Sequence, residues 1–280
     1  MDKLYVEAIG SGRTPLVLIH GWAMHGGVFA PLVEALRAHC TLYLVDLPGH
    51  GHSRDCTLPL DDLTALANSL VAATPPAIWL GWSLGGLVAL NAALEHPGHV
   101  QALAMLCATP RFTAAADWPD GRDPALLRQL AEQLREDYHA TLDHFLALET
   151  LGSKDPRGEL RQLRELVFAR GEPHAAALRQ GLALLENADL RDRLDRLRIP
   201  NAWIAGRRDR LVHPQVMAWS AQRGGGSYAA IEHAGHAPFF GHADALAQHL
   251  LALIAAVAPG ADDDGASGLR AGHEHAQGIR

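Results

Sequence analysis

A serine hydroxyl does useful chemistry only when the chain lifts it into the open and a neighbour takes its proton. The stretch Gly81-Trp82-Ser83-Leu84-Gly85 meets the first condition. Its glycines, two before and two after the serine, let backbone approach closely enough for a strained turn that presents the hydroxyl. The proton acceptor must come from elsewhere, and with 17 histidines in the chain the setting has to decide. His236 lies in His233-Ala234-Gly235-His236-Ala237-Pro238-Phe239, where small neighbours free the ring to swing; His233 and His242 are the competing residues. For the acid, Asp209 closes the run Gly206-Arg207-Arg208-Asp209, where its carboxylate would hold the imidazole Nδ1–H and stabilise imidazolium. Asp189, Asp192 and Asp195 read instead as a solvated helix face. Serine, histidine and aspartate in these roles suit nucleophilic acyl transfer.

Residues so far apart in sequence meet only if the fold brings strand ends together. Short unbroken apolar runs occupy 16–19, 41–45, 77–80, 102–106, 201–205 and 228–231, the pattern of strands buried on both faces of a parallel sheet. Helix-like stretches at 31–38, 60–73, 84–95 and 214–222 lie between most of them. That alternation makes the fold class α/β, with a mostly parallel central sheet and helices on both faces. Ser83 then stands between a strand and a helix, and Asp209 and His236 each follow a strand. From Phe112 to Arg198 only helical periodicity is visible, with starts marked by Asp123-Pro124, Asp155-Pro156 and Glu172-Pro173. The expected organisation is a core over 1–111 and 199–258, an inserted helical lid over 112–198, and a disordered tail over 259–280 rich in Gly, Ala, Asp and His.

His20-Gly21-Trp22 follows the first strong strand, and Gly26-Gly27 keep that loop slim. Backbone N–H groups of Trp22 and Leu84 would converge on the developing oxyanion, with Trp22 walling the acyl pocket and His20 a hydrogen-bonded loop residue. Composition excludes other classes. A net charge of −7 argues against a nucleic-acid binder, and the apolar run 250–258 is far short of a bilayer span. The cysteines, Cys40, Cys56 and Cys107, show no paired spacing and read as free thiols. His50 and His52 belong to a tight turn without acidic or thiol partners, so no metal and no cofactor are expected. A serine rather than an aspartate at 83 disfavours dehalogenase and epoxide hydrolase chemistry. The start, Met1-Asp2-Lys3-Leu4, has no apolar signal core and runs directly into strand-like sequence; a monomeric cytoplasmic protein without a membrane partner is the expectation.

The chain order Ser, Asp, His is that of the α/β-hydrolase superfamily. Within it, Gly81-Trp82-Ser83-Leu84-Gly85-Gly86-Leu87-Val88-Ala89 resembles the pimeloyl-[acyl-carrier protein] methyl ester esterases of biotin synthesis. The likeness extends through Leu18-Ile19-His20-Gly21-Trp22, Val45-Asp46-Leu47-Pro48-Gly49-His50-Gly51, Phe145-Leu146-Ala147-Leu148-Glu149, Asp189-Leu190-Arg191 and His236-Ala237-Pro238-Phe239. The resemblance implies hydrolysis of the methyl ester at the far end of a seven-carbon diacid whose near end is a thioester on acyl carrier protein. It implies substrate contacts at Trp22, Ser83, Leu84, Phe145, Leu146, Ala147, Leu148, Glu149 and His236. Arg157, Arg161 and Arg164, at i, i+4 and i+7, would give an acidic carrier a basic ridge to dock on, although Glu159 and Glu165 dilute it. The helix preceding Phe145 departs from relatives by carrying Ala140 and His144 where they place arginines. Two other readings compete: a general short-chain carboxylesterase or thioesterase that meets no carrier, and a binding module on the same scaffold.

Overall fold

The computed structural model describes residues 3–153 and 155–257. The expected tail over 259–280 lies outside them. Seven strands form one sheet: β1 Tyr5–Ile9, β2 Thr14–Ile19, β3 Cys40–Asp46, β4 Ala77–Trp82, β5 Val100–Leu106, β6 Asn201–Gly206 and β7 Ser227–Ile231, in the order β1-β3-β2-β4-β5-β6-β7. All neighbours run parallel except the edge pair, where β1 is antiparallel to β3. The central strands read as continuous apolar runs because both faces are covered: every residue of β4 and β6 is buried.

Helices α1 Ala30–Leu36, α2 Leu63–Ala73, α3 Leu84–Glu95, α8 Pro214–Arg223 and α9 Ala243–Val257 connect and cover these strands. From β2 the chain crosses through α1 to β3 on one side, then through α2 to β4 on the other side of β2. Right-handed crossovers in opposite directions put α1 and α2 on opposite faces, and they leave a crevice beyond the carboxyl ends of β2 and β4. The Gly21-Trp22 loop and Ser83 both open into that crevice. Within the apolar run 250–258, residues 250–257 form the second half of α9, a 15-residue helix. Among the described residues no helix is long and apolar enough to cross a membrane.

Between β5 and β6 come α4 Pro124–Glu136, α5 Tyr138–Glu149, α6 Pro156–Val167 and α7 Ala175–Asn187. The caps expected at Asp123 and Asp155 are present, their carboxylates accepting from the N–H of Ala125 and Gly158. The start expected at Glu172-Pro173 is not. There the chain is still held extended, with the Pro173 carbonyl accepting from Tyr138 Oη at 2.8 Å and the His174 N–H donating to Gly49 O at 2.7 Å, so α7 begins at Ala175 with His174 as its cap. Nor is the segment wholly helical, since single bridges pair Thr113 with Arg122 and Ala115 with Trp118. Asp189 is no helix face either: it precedes a short 3₁₀ segment over Arg191–Arg196 and joins Arg111 at 2.6 Å and Arg191 at 2.7 Å. Those guanidinium bonds hold its carboxyl down at about 2.

The inserted helices are tied to the sheet end by an ion cluster. The Asp46 side chain is fully buried and accepts from the N–H of Gly26 at 2.7 Å and of His52 at 2.8 Å. Arg170, just beyond α6, spans Asp46 at 3.2 Å and Glu7 at 2.5 Å. Burial opposes the charge on Asp46, while the two N–H donors and Arg170 favour it, and the carboxyl lies below its usual range. Arg170→Leu would leave that carboxylate buried and short of its cation, a defect worth about 3 kcal/mol. The expected result is a fall of roughly 6–12 °C in the thermal midpoint followed by circular dichroism; a change within about 2 °C would show that the cluster carries little of the stability.

Candidate active site

Ser83 has φ 54° and ψ −121°, a strained backbone that the surrounding structure must enforce. The strain is held from both sides: the Ser83 N–H donates to Leu106 O at 3.1 Å, and its carbonyl accepts from the Gly86 N–H at 2.9 Å. A Cβ on Gly81 would collide with the Gly85 carbonyl, and one on Gly85 with the carbonyls of Ile19 and His20. The flanking glycines are therefore required by close approach of backbone to backbone. Leu84 opens α3, so its N–H has no acceptor within the helix and adds to the partial positive charge there.

The opposite wall is the loop after β2. His20 is fully buried; its Nδ1–H donates to Gly21 O at 2.8 Å and its Nε2 accepts from the Leu47 N–H at 2.9 Å. Desolvation, helped by His50 nearby, pushes the ring down to about 3, so it stays neutral and works as a brace between two loops. The braced loop passes close to the serine, since a Cβ on Gly21 would stand 3.2 Å from the Ser83 Cβ.

His236 places Nε2 2.9 Å from Ser83 Oγ and Nδ1 2.8 Å from Asp209 Oδ2. The other Asp209 oxygen accepts from the N–H of Leu211 at 2.8 Å and of Val212 at 3.0 Å, which fixes the carboxylate. The structure thus brings Ser83, His236 and Asp209 into one hydrogen-bonded line. His233 instead turns its ring to Arg208 at 2.8 Å, at an exposed position, and His242 stands at the start of α9, its carbonyl accepting from the Leu246 N–H. Burial alone would depress the His236 imidazole; Asp209 and Glu149 more than reverse this and lift it to about 9, with Arg122 a weaker opposing charge.

Two supports went unread in the sequence. Trp82 Nε1 donates to the His236 carbonyl at 2.8 Å, and its ring packs edge-on against Phe239 at 4.9 Å, so the residue before the serine also holds the histidine loop. Cys107 lies behind Asp209, its Sγ accepting from the Gly206 N–H at 3.3 Å; burial, then the Asp209 charge, pushes its thiol far up, so it stays protonated. All three cysteines are free and buried. Among the described residues, Cys107, Asp209 and His236 are the one group whose atoms lie close enough to share an ion, and there the imidazole and carboxylate are already bonded to each other.

The line opens into a cavity of about 240 Å³ between the strand ends and the inserted helices. Trp22, Phe145, Leu148, Leu130 and Leu185 give it apolar walls, while Arg122, Gln129, Gln133 and His144 supply its polar positions. Trp22 is locked by Nε1 donating to Leu178 O at 2.8 Å and by edge-on packing with Phe145 at 4.6 Å. Of the stretch 145–149, helical spacing turns Phe145, Leu148 and Glu149 to the cavity. Leu146 is wholly buried elsewhere and Ala147 is half-buried, and neither lines it. Glu149 is 1% exposed, with Oε2 3.8 Å from His236 Nε2, and among the described residues that oxygen has no hydrogen-bond partner. Burial pushes its carboxyl up to about 7. On α6, Arg157 and Arg161 are exposed and make no ion pair among the described residues, whereas Arg164 is paired with Asp143 at 2.8 Å.

Comparison with known proteins agrees with this architecture. The family model of the alpha/beta hydrolase fold matches residues 14–243. Over 255 residues the chain is 54% identical to the pimeloyl-[acyl-carrier protein] methyl ester esterase of Xanthomonas campestris pv. campestris (strain B100), covering 91% of this chain and 100% of that protein. It is 52% identical over 257 residues to the protein of the same name from Stenotrophomonas maltophilia (strain R551-3), covering 91% and 98%. Among solved structures, an esterase from Exiguobacterium antarcticum superposes with a TM-score of 0.81 at 24% identity, covering 90% of this chain and 95% of that one; at that identity it speaks for the fold alone. With the hydrolase model spanning most of the chain and relatives more than half identical along nearly all of it, this protein belongs to the α/β-hydrolase family and, within it, to the pimeloyl-[acyl-carrier protein] methyl ester esterases.

Proposed function

We propose that this protein hydrolyses the methyl ester of pimeloyl-[acyl-carrier protein] in biotin biosynthesis, with Ser83 as nucleophile, His236 as general base and Asp209 as the acid that orients it. It is a carboxylic ester hydrolase. The observation that carries the residue roles is the unbroken line from Ser83 Oγ through His236 to Asp209, opening on an apolar cavity. The names of the relatives supply the substrate. A cytoplasmic setting accords with three buried unpaired thiols.

Ser83 Oγ attacks the ester carbonyl carbon as its proton passes to His236 Nε2. The carbonyl oxygen takes the negative charge against the N–H groups of Trp22 and Leu84, where each donor is worth about 3 kcal/mol of barrier. Collapse expels methoxide, which leaves as methanol with the proton from His236. Water then gives a proton to the same nitrogen and attacks the acyl-serine carbonyl, and Ser83 recovers its proton as the acid departs. The aliphatic chain lies along the apolar wall of Trp22, Phe145 and Leu148, and the thioester end reaches the open mouth and the carrier.

Arg157 and Arg161 are the exposed cations to which an acidic carrier docks; Arg164, neutralised by Asp143, adds little. That spent arginine, with Ala140 and His144, favours the rival reading of a carboxylesterase or thioesterase acting on small soluble esters.

Ser83→Ala is expected to abolish labelling by a fluorophosphonate and to lower kcat by at least about 10⁴-fold. The wild-type gene should rescue a biotin auxotroph lacking this esterase while the Ser83→Ala gene does not; rescue by both would refute the assignment. Replacing Arg157 and Arg161 together by Glu should cut kcat/KM on the carrier-bound methyl ester by about 10-fold or more, with hydrolysis of p-nitrophenyl butyrate spared. Equal losses on both substrates would remove the carrier from the account.

The pH dependence follows from the base. Imidazolium cannot accept the serine proton, so activity is lost as pH falls through the His236 value, which its carboxylate neighbours hold up at about 9. For a neutral ester kcat/KM should therefore rise into the alkaline range. Glu149→Gln removes one of the charges that raise the imidazole, so the acid limb should move to lower pH; an unmoved limb would show that Glu149 does not act on the base.

A further inference from the structure

Glu149 is an expensive residue to keep where it is. Its carboxyl is buried at the last position of α5, where the helix dipole disfavours negative charge. Among the described residues its Oε2 meets no hydrogen-bond donor, and a buried polar atom left unsatisfied calls for a role in the site. The carboxyl lines the same cavity as Ser83 and His236. Its Oε2 is 3.8 Å from His236 Nε2, too far for a direct hydrogen bond and close enough for both atoms to bind one water.

The acyl-enzyme needs a water at that spot. While Ser83 is free, its hydroxyl occupies His236 Nε2 at 2.9 Å. Once Oγ is esterified it has no proton to give, and Nε2 becomes an acceptor facing a mostly apolar cavity. A water bonded to Nε2 alone could rotate and drift; a second acceptor fixes its oxygen toward the acyl carbonyl.

We propose that Glu149 positions the hydrolytic water of deacylation, accepting one of its hydrogens at Oε2 while the other passes to His236 Nε2. The water oxygen forms the new bond to the acyl carbon and the bond to Ser83 Oγ breaks. The proton held on His236 returns to Oγ, and Glu149 neither gains nor loses one. As a carboxylate, Glu149 is a pure acceptor. The inference rests on the serine–histidine reading above and gives Glu149 a task separate from contact with the substrate chain.

The test is pre-steady-state hydrolysis of p-nitrophenyl butyrate by the wild type, Glu149→Leu and Glu149→Gln, at a pH above the acid limb of all three. Glu149→Leu should keep the p-nitrophenol burst rate within about threefold of wild type and lose about 10- to 100-fold in the steady-state rate. Intact mass should show butyryl on Ser83 accumulating in that variant, and added methanol should capture a larger share of the acyl group relative to water. Glu149→Gln retains an oxygen acceptor and should recover most of the steady-state rate. Burst and steady state falling by one common factor would mean a structural role and overturn the proposal, as would a steady-state rate unchanged in Glu149→Leu. Failure of a fluorophosphonate to label Ser83 in the wild type would sink the nucleophile reading itself, and the water's role with it; the two failures are told apart by that labelling alone.

Discussion

Everything in the site depends on one imidazole being held between two partners that the chain supplies from different places. Ser83 and His236 are 153 positions apart, yet their atoms meet at 2.9 Å, inside ordinary hydrogen-bond range and with little tolerance on either side. The fold meets that tolerance by fixing both ends rather than the middle. The serine is fixed by a strained backbone with a bond on each side, and the histidine by its carbonyl on Trp82 and its ring on Asp209. Trp82 sits next to Ser83, so the histidine is positioned from the strand that leads into the serine. A disturbance there moves both groups together.

A second buried charge does for the inserted helices what Asp209 does for the histidine. Asp46 ends β3 and, through Arg170, links the segment beyond α6 to the sheet edge at Glu7. Its bonds to the N–H of Gly26 and His52 tie in the loops that flank the crevice. His20 braces the same region as a neutral ring. The cavity is therefore roofed by helices anchored at the polar end of the sheet, and its apolar wall, with Trp22 bonded to the roof through Leu178, is held by directional bonds as well as by packing.

The core strands were legible because burial on both faces leaves an unbroken apolar run, and α3 because glycines and the strand before it mark its start at Leu84. The edge strand β1 left a weaker trace: five residues, none of them buried, give no apolar run to read, and nothing in them signals antiparallel pairing. Proline marked the starts of α4 and α6, whereas α5, capped by Asp137 without proline, carried no such mark. At the site, residue types and order pointed to Ser83, Asp209 and His236. The stretch 145–149 came as a block, and helical periodicity could have divided it into Phe145, Leu148 and Glu149, which face the cavity, and Leu146 and Ala147, which do not. Trp82, Cys107 and the Asp46–Arg170 pair act across long separations with no local pattern, so only the assembled fold exposes them.

Two carboxylates around one imidazole do different work because they approach different nitrogens. Asp209, bonded to Nδ1 and held by two backbone N–H groups, fixes the orientation of the ring and, while it is neutral, its tautomer. Glu149 lies beside Nε2, the nitrogen bonded to Ser83, and any direct bond there would compete with the serine. A distance of 3.8 Å avoids that competition while keeping the charge near enough to raise the imidazole. On the mechanism proposed, the spacing that leaves Glu149 without a direct bond to Nε2 leaves that nitrogen to Ser83 in one half-reaction and to water in the other.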